Sequence, residues 1–371
     1  MQPPPDVAIL LDHFGSGGVE RVACHVANGL HEAGVRVEMV VLEDKGPVRE
    51  LLDGGIKVTA VGAPAIGRRG RRTMASVPAI ARYLRDRRPK ILHSPGNHTN
   101  GPSALAVRLA RFEGLFVPKI TNPLLNARMS GRRRWMRRRF YGWALQRADT
   151  ILVLSRAAIQ DIADLRPGLA SRTRVVHNPY VSAEMLAKAS QRNPAEPPVI
   201  LSIGRLSKQK NQALLVRSAA RLKERPWRLR ICGTGPEEDA LRALAAELGI
   251  ADRLEMPGFV SDPAQEYATA TVLGVSSRWE GLPAIVLEAI ACGCPVVSTA
   301  SSPGLVELLD EVGAWPAIAL DDERGFAEAL AAALDGRLPH VPNSASMPYS
   351  IEASRAEHAE LFSDLLRRSR S

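Results

Sequence analysis

Cysteine is scarce: the 371 residues hold four, Cys24, Cys232, Cys292 and Cys294, with no C-x-x-C spacing and only the last two close together. That excludes a disulfide scaffold and reads as buried free thiols in a reducing compartment. Long apolar runs are missing too. No stretch approaches the roughly eighteen apolar residues of a membrane-spanning helix. The first run, 7–11, stops after five residues at Asp12 and His13, too short for the apolar core of a signal peptide. The expectation is a chain made and kept in the cytoplasm, free or held peripherally at the inner face of the membrane. With 45% apolar and 24% charged residues, disordered, collagen-like and coiled-coil chains are excluded, and roughly two to three globular domains fit.

Acidic residues are nearly absent from one region. Between Gly54 and Ala148 only Asp86 and Glu113 occur, and residues 1–180 hold 29 Lys and Arg against 14 Asp and Glu. Residues 181–371 hold 20 against 25, so the formal charge of +10 divides into +15 and −5. A partner of negative charge is expected on the first half, whether phosphate, anionic lipid or nucleic acid.

What is present is an alternation of short apolar runs and longer amphipathic segments. Runs 7–11, 37–42, 91–93, 151–154 and 175–177 read as strands, and segments such as 19–33 and 74–87 as helices. The pattern restarts after 193–198, a linker by composition with three prolines among six residues. Strands are then expected at 199–203, 228–232, 271–275 and 295–298, and an amphipathic helix at 349–368. The result is two α/β units with largely parallel sheets, whose chemistry belongs just beyond the carboxyl ends of the strands.

Three places there carry suitable residues. After the first strand, Gly15, Gly17 and Gly18 let backbone N–H groups approach a ligand at the start of a helix. A structural turn explains any single glycine equally well, and neither the dinucleotide G-x-G-x-x-G nor the P-loop ending is present. After the linker, Gly204 leads into Arg205, Lys208, Lys210 and Asn211. A guanidinium and an ammonium at a strand mouth can bind a diphosphate and the charge it gains on leaving, or simply form a solvated basic helix start. The richest stretch is 278–298, where a glycine loop carries Glu280 and a helix starting near Pro283 carries Glu288. Helix-start N–H groups suit phosphate, and carboxylates suit sugar or ribose hydroxyls. The apolar neighbours of Glu288 place it on a buried helix, where a carboxylate needs a partner.

In order and spacing, Gly17-Gly18-Val19-Glu20-Arg21, Gly204-Arg205 with Lys210-Asn211, Gly233-Thr234-Gly235-Pro236, Pro257-Gly258-Phe259 and Glu280-x7-Glu288 resemble the retaining glycosyltransferases of family 4. The likeness spans nearly the whole chain. It implies a GT-B fold, two Rossmann-like domains facing each other across a cleft. Residues 1–190 would take the acceptor and 191–348 the nucleotide sugar, and a helix within 349–371 would cross back onto the first domain. By the same likeness Arg205 and Lys210 bind the donor diphosphate, Glu288 the ribose hydroxyls and Glu280 hydroxyls of the transferred sugar. Gly233 belongs to the donor side, the backbone of Gly281, Leu282 and Pro283 lies near the phosphates, and Phe259 and Val260 line the base. Gly17 and Gly18 approach the diphosphate from the other domain.

The likeness also implies no metal and no cofactor beyond the nucleotide sugar as co-substrate, which fits a basic pair doing a cation's work, and no D-x-D motif is present. Retention of configuration is implied in the same way, by front-face displacement with the leaving phosphate as base. Family members often carry a histidine that contacts the sugar in a His-x-His pattern. Here only His98 carries over, while His93 is read as packing or capping its strand end. A second departure is the segment 298–304, where relatives have an acidic residue and paired glycines; Gly304 and Glu307 match in spacing only.

One stripe, Met129, Met136, Phe140 and Trp143, is flanked by Arg132, Arg133, Arg134, Arg137, Arg138 and Arg139. It reads either as a core-facing helix with a basic rim or as a contact with an anionic membrane surface. A second cluster, Gly67-Arg68-Arg69-Gly70-Arg71-Arg72, reads as a mobile loop. The function expected is transfer of a hexose or N-acetylhexosamine, from a UDP-sugar, to a surface-glycan, lipopolysaccharide or lipid-linked acceptor. The alternatives are a sugar-nucleotide epimerase of the same fold and a basic nucleic-acid-binding protein, although no element of a known nucleic-acid reader is present.

Overall fold

The structure, a computed structural model, describes residues 3–62, 69–125 and 129–369. Two five-stranded parallel sheets repeat one construction. In the first, β1 (Val7–Leu11), β2 (Val37–Val41), β3 (Lys57–Ala60), β4 (Ile91–Ser94) and β5 (Leu115–Pro118) lie in the order β3-β2-β1-β4-β5. A two-stranded parallel pair follows, β6 (Ile151–Val153) with β7 (Thr173–Val175). In the second sheet β8 (Val199–Ile203), β9 (Arg228–Cys232), β10 (Leu254–Gly258), β11 (Val272–Val275) and β12 (Val296–Ser298) lie in the order β10-β9-β8-β11-β12. All five residues of β1 are buried, as expected of a parallel strand covered on both faces. The helix Gly18–Glu32 buries Val22, Ala23, Val26, Ala27 and Leu30, an apolar stripe at helical spacing.

The chain divides into two compact units, Met1–Pro179 with Ile351–Ser371, and Tyr180–Ser350. The division falls ahead of the proline-rich 193–198. That segment is already fastened to the second unit, since the N–H groups of Asn193 and Ala195 donate to the carbonyls of Ala268 and Thr269 at 3.1 and 2.9 Å. Three strands were not legible as apolar runs: β3 and β10 are short sheet-edge strands with exposed residues, and β5 ends on Pro118. The strand expected at 175–177 lies earlier, at β7, and the segment 74–87 is two helices, Arg69–Ala75 and Val77–Arg87.

The C-terminal helix Ile351–Arg368 belongs to the first unit. It packs tightly at Gly29, where a Cβ would stand 2.6 Å from Cβ of Arg355. Phe362, fully buried, meets the His93 ring edge-on at 5.3 Å. His93 itself packs in the core with Nδ1 2.8 Å from the Val117 carbonyl, and burial pushes its pKa down to about 3. Lys119 is buried beside this helix, donating to Asn178 at 2.5 Å, with His358 Nε2 at 3.3 Å; burial lowers its pKa to about 7.

The basic clusters differ from expectation. Gly67 and Arg68 lie outside the described residues, but 69–72 is helical rather than loop, and Arg72 pairs with buried Asp12 at 2.8 Å and Glu43 at 2.6 Å. The helix Gly131–Leu145 starts after Met129, so that residue leaves the proposed stripe. Its last turn, Gly142, Ala144 and Leu145, is buried, whereas Trp135, Met136 and Phe140 are exposed at 60%, 49% and 38%. The four cysteines are free and buried, and among the described residues no helix is long and apolar enough to cross a membrane.

Candidate functional site

Each five-stranded sheet reverses its strand order at its first strand, with β1 between β2 and β4 and β8 between β9 and β11. Loops leaving such neighbouring strands in opposite directions open a crevice at their carboxyl ends. Gly17, Gly18 and His98 follow β1 and β4, and Arg205, Lys210 and Glu280 follow β8 and β11, whereas Gly233, Phe259 and Val260 follow β9 and β10.

In the second unit the loops after β8 and β11 are tied together. Ser276 Oγ donates to the Lys210 carbonyl at 3.1 Å, Arg278 N–H to the Gln209 carbonyl at 2.8 Å, and Gln209 Nε2 to the Trp279 carbonyl at 2.9 Å. Lys210 Nζ lies 2.7 Å from Oε1 of Glu280, and Ser277 Oγ donates to the same carboxylate at 2.9 Å. Glu280 is only 7% exposed, and these donors satisfy its buried carboxylate. The loop after β12 supports it from behind. Glu280 N–H bonds to the Ser301 carbonyl at 3.2 Å, and Ser302 Oγ to the Gly281 carbonyl at 2.5 Å. Tyr180 donates to the Leu282 carbonyl at 3.3 Å. Arg205 stands exposed at the mouth of β8, and among the described residues its guanidinium has no partner.

Three glycines shape the sheet edge beside this pair. Gly204 N–H donates to the Cys232 carbonyl and Gly233 N–H to the Gly258 carbonyl, at 2.9 and 2.7 Å, across the ends of β8, β9 and β10. Gly233 has φ 138°, and a Cβ on it would collide with the Gly204 carbonyl oxygen. Only glycine satisfies both demands. Beyond Gly258, Phe259 is 79% exposed, with half-buried Val260 next to it. The helix Ala284–Ala291 begins after Pro283 with no side-chain cap; Val286 N–H donates to the Pro283 carbonyl at 3.2 Å, and the N–H groups of Ala284 and Ile285 are placed to meet an anion. Glu288, one turn in, is half-buried and accepts a 2.8 Å hydrogen bond from Tyr267. The tyrosine is fully buried, and burial next to that carboxylate raises its pKa well above 10. The partner that a buried Glu288 required is thus supplied by the protein.

In the first unit Gly17 and Gly18 are exposed between β1 and the helix Gly18–Glu32, and a Cβ on Gly17 would strike the Glu20 carboxylate. His98, half-buried, starts the helix Asn97–Ala110 after β4. The two loops touch at Gly96, where a Cβ would lie 2.9 Å from Val19 and 3.4 Å from the His98 ring. Gln209, Ser276, Ser277, Ser301, Ser302 and Tyr267 were not singled out from the sequence. The available signal was the paired serines following two adjacent strands.

Two family models match the chain, "Glycosyl transferase 4-like domain" over residues 17–179 and "Glycosyl transferases group 1" over residues 185–346. The chain belongs to the GT4-type glycosyltransferases. Solved glycosyltransferases carry the same GT-B fold. HepE of Anabaena, in complex with UDP and glucose, aligns with TM-score 0.77 at 20% identity, over 97% of this chain and 99% of that one. The lipopolysaccharide outer core galactosyltransferase WaaB aligns with TM-score 0.73 at 21% identity, over 96% and 99%. Among curated relatives, the lipopolysaccharide core biosynthesis glycosyltransferase LpsE of Rhizobium meliloti is 28% identical over 86% of each chain. The N-acetylgalactosamine-N,N'-diacetylbacillosaminyl-diphospho-undecaprenol 4-alpha-N-acetylgalactosaminyltransferase of Campylobacter jejuni is 31% identical, the match spanning 51% of this glycosyltransferase and about half, 52%, of that relative.

Proposed function

We propose that this glycosyltransferase moves a hexose or N-acetylhexosamine from a UDP-sugar to a hydroxyl of a cell-surface glycan, lipopolysaccharide or lipid-linked acceptor, retaining the anomeric configuration and using no metal. The observation that carries the reading is the Lys210–Glu280 pair, 2.7 Å apart at the switch point of the second sheet, with exposed Arg205 at the mouth of β8. Arg205 and Lys210 hold the diphosphate, and Glu280 accepts hydroxyls of the transferred sugar. The first-turn N–H groups after Gly281, Leu282 and Pro283 face the phosphates, Glu288 takes the ribose, and Phe259 with Val260 the base. His98 is assigned to the transferred sugar.

In the reaction the bond between the anomeric carbon and the leaving phosphate oxygen breaks. The acceptor oxygen bonds to that carbon, and its proton passes to the departing phosphate. The charge gained there is what the two cations stabilise, an effect worth about 10²–10³ in rate per preorganised donor. The relatives support the acceptor class: one is named for a diphospho-undecaprenol substrate and another for lipopolysaccharide core biosynthesis. The UDP bound by HepE supports the donor.

The same reading places the protein on the membrane bearing such an acceptor. Trp135, Met136 and Phe140 are exposed together on one basic helix with Arg132, Arg133, Arg134, Arg138 and Arg139. Arg137 instead turns inward, donating to the Leu124 carbonyl at 3.1 Å. Arginine near an anionic surface contributes roughly 1 kcal/mol each.

A panel of nucleotide sugars incubated with the enzyme and a lipid-linked glycan acceptor tests the reading. Release of UDP together with a glycosylated acceptor is expected. Interconversion of the sugar nucleotide with no acceptor product would make the protein an epimerase.

A further inference from the structure

Two arginines adopt left-handed backbone, Arg88 with φ 46° after the helix Val77–Arg87 and Arg111 with φ 50° after the helix Asn97–Ala110. Each closes its helix. Arg88 N–H donates to the Leu84 carbonyl at 3.1 Å, and the N–H groups of Arg111 and Phe112 donate to the carbonyls of Arg108 and Val107 at 3.2 and 3.0 Å. Glycine is the usual occupant of this position, because a Cβ crowds the carbonyl there. The other two non-glycine residues with positive φ among the described residues are Asn211 and Asp321, whose short polar side chains suit that conformation. An arginine has no such local compensation.

Both arginines line one recess of about 590 Å³, together with Arg85, Lys90, Phe112 and Glu113. It lies where β4 and β5 begin, at the opposite end of β4 from His98. The two helix ends are pinned together at Gly114, where a Cβ would sit 2.6 Å from the Lys90 carbonyl oxygen and 2.7 Å from that of Pro89. Lys90 is engaged with Asp6 at 2.7 Å, and Arg85 reaches the Leu109 carbonyl at 3.5 Å. Arg88 and Arg111 are exposed, and among the described residues their guanidinium groups have no hydrogen-bond or ion-pair partner.

We propose that this recess is a second anion site, binding a phosphate-bearing ligand between the forks of Arg88 and Arg111 over the ring of Phe112. A guanidinium matches a phosphate through two parallel N–H bonds. The ligand's phosphate is that of a free diphosphate or of an anionic lipid headgroup. The site does not depend on the donor reading, since its residues are not those assigned to the sugar nucleotide.

The test uses the full chain carrying Arg205→Ala and Lys210→Ala, so that those cations add no signal. It compares this parent with a form also carrying Arg88→Gly and Arg111→Gly. Glycine suits the left-handed backbone, so the added substitutions should leave the thermal midpoint unchanged or raised; Arg88→Asn with Arg111→Asn serves as a second pair. Calorimetric titration with inorganic pyrophosphate, and separately with dihexanoyl phosphatidylglycerol below its micelle concentration, distinguishes the two sources. Loss of the two bidentate contacts should weaken binding about ten-fold or more. A loss seen with pyrophosphate assigns a soluble diphosphate, and a loss seen only with the lipid assigns a headgroup. Binding of neither probe at millimolar concentration, or binding equal in all forms, would overturn the proposal and leave the arginines as counterions to the helix ends.

Discussion

Burial in the first unit disfavours the charged forms of several side chains. Burial lowers His93 to about 3 and His25 to about 4, against an ordinary 6.5, and pushes His358 well below it. Lys119 falls to about 7 from 10.5. Each group takes up protons more readily unfolded than folded. Stability is therefore fully present above the unfolded value and is lost as pH falls toward the folded one. For the histidines that window runs from about 6.5 down to about 4 or 3, and for Lys119 from about 10.5 to about 7. All four lie in the first unit, so hydrogen exchange at falling pH should show its amides losing protection below pH 6.5 while those around β8 and β11 hold. Equal loss in both units would contradict this. Of this only the packing of His93 was legible in the sequence; His25, Lys119 and His358 were not, because their burial depends on the packed helix Ile351–Arg368. At the candidate site Arg205, Lys210, Glu280 and Glu288 were legible from residue type beside strand ends. The pairings Lys210–Glu280 and Tyr267–Glu288 were not, since they join residues 70 and 21 positions apart through the fold.

Among the elements, the C-terminal helix has the most to lose from one side chain. Phe362 is fully buried and packs on His93 at the end of β4. Truncation to alanine removes its burial and leaves a cavity, costing about 3–5 kcal/mol. Denaturant unfolding of Phe362→Ala should show that loss, and a change below about 1 kcal/mol would mean the helix is only loosely docked. The amphipathic pattern over 349–368 announced this helix, and the apolar runs announced β1, β2, β4, β6, β8, β9, β11 and β12. Two edge strands, β3 and β10, escaped because their residues need not be apolar: Lys57 and Ala60 of β3 are exposed, and β10 carries Pro257. The basic character of the helix Gly131–Leu145 is legible, but its apolar stripe is not a buried face: Met129 precedes the helix, Met136 and Phe140 are exposed, and burial is confined to the last turn, Gly142, Ala144 and Leu145.

For the whole molecule, the charge of +10 is the sum of a basic first half and an acidic second half. The cations proposed to meet the donor stand in the acidic half, so net charge does not locate them. The excess on the first half fits anionic lipid instead. Replacing Trp135, Met136 and Phe140 with serine should reduce co-sedimentation with phosphatidylglycerol vesicles by about ten-fold or more, consistent with lost apolar insertion, and leave phosphatidylcholine vesicles unbound. Undiminished binding would remove this helix from the membrane reading. The central claim rests on the second unit, and calorimetric titration of UDP tests it most directly. The unaltered protein should bind UDP, and Arg205→Ala with Lys210→Ala should weaken that affinity about a hundred-fold, as expected from two charge-assisted contacts, with circular dichroism unchanged. Equal affinity in both forms would contradict the assignment.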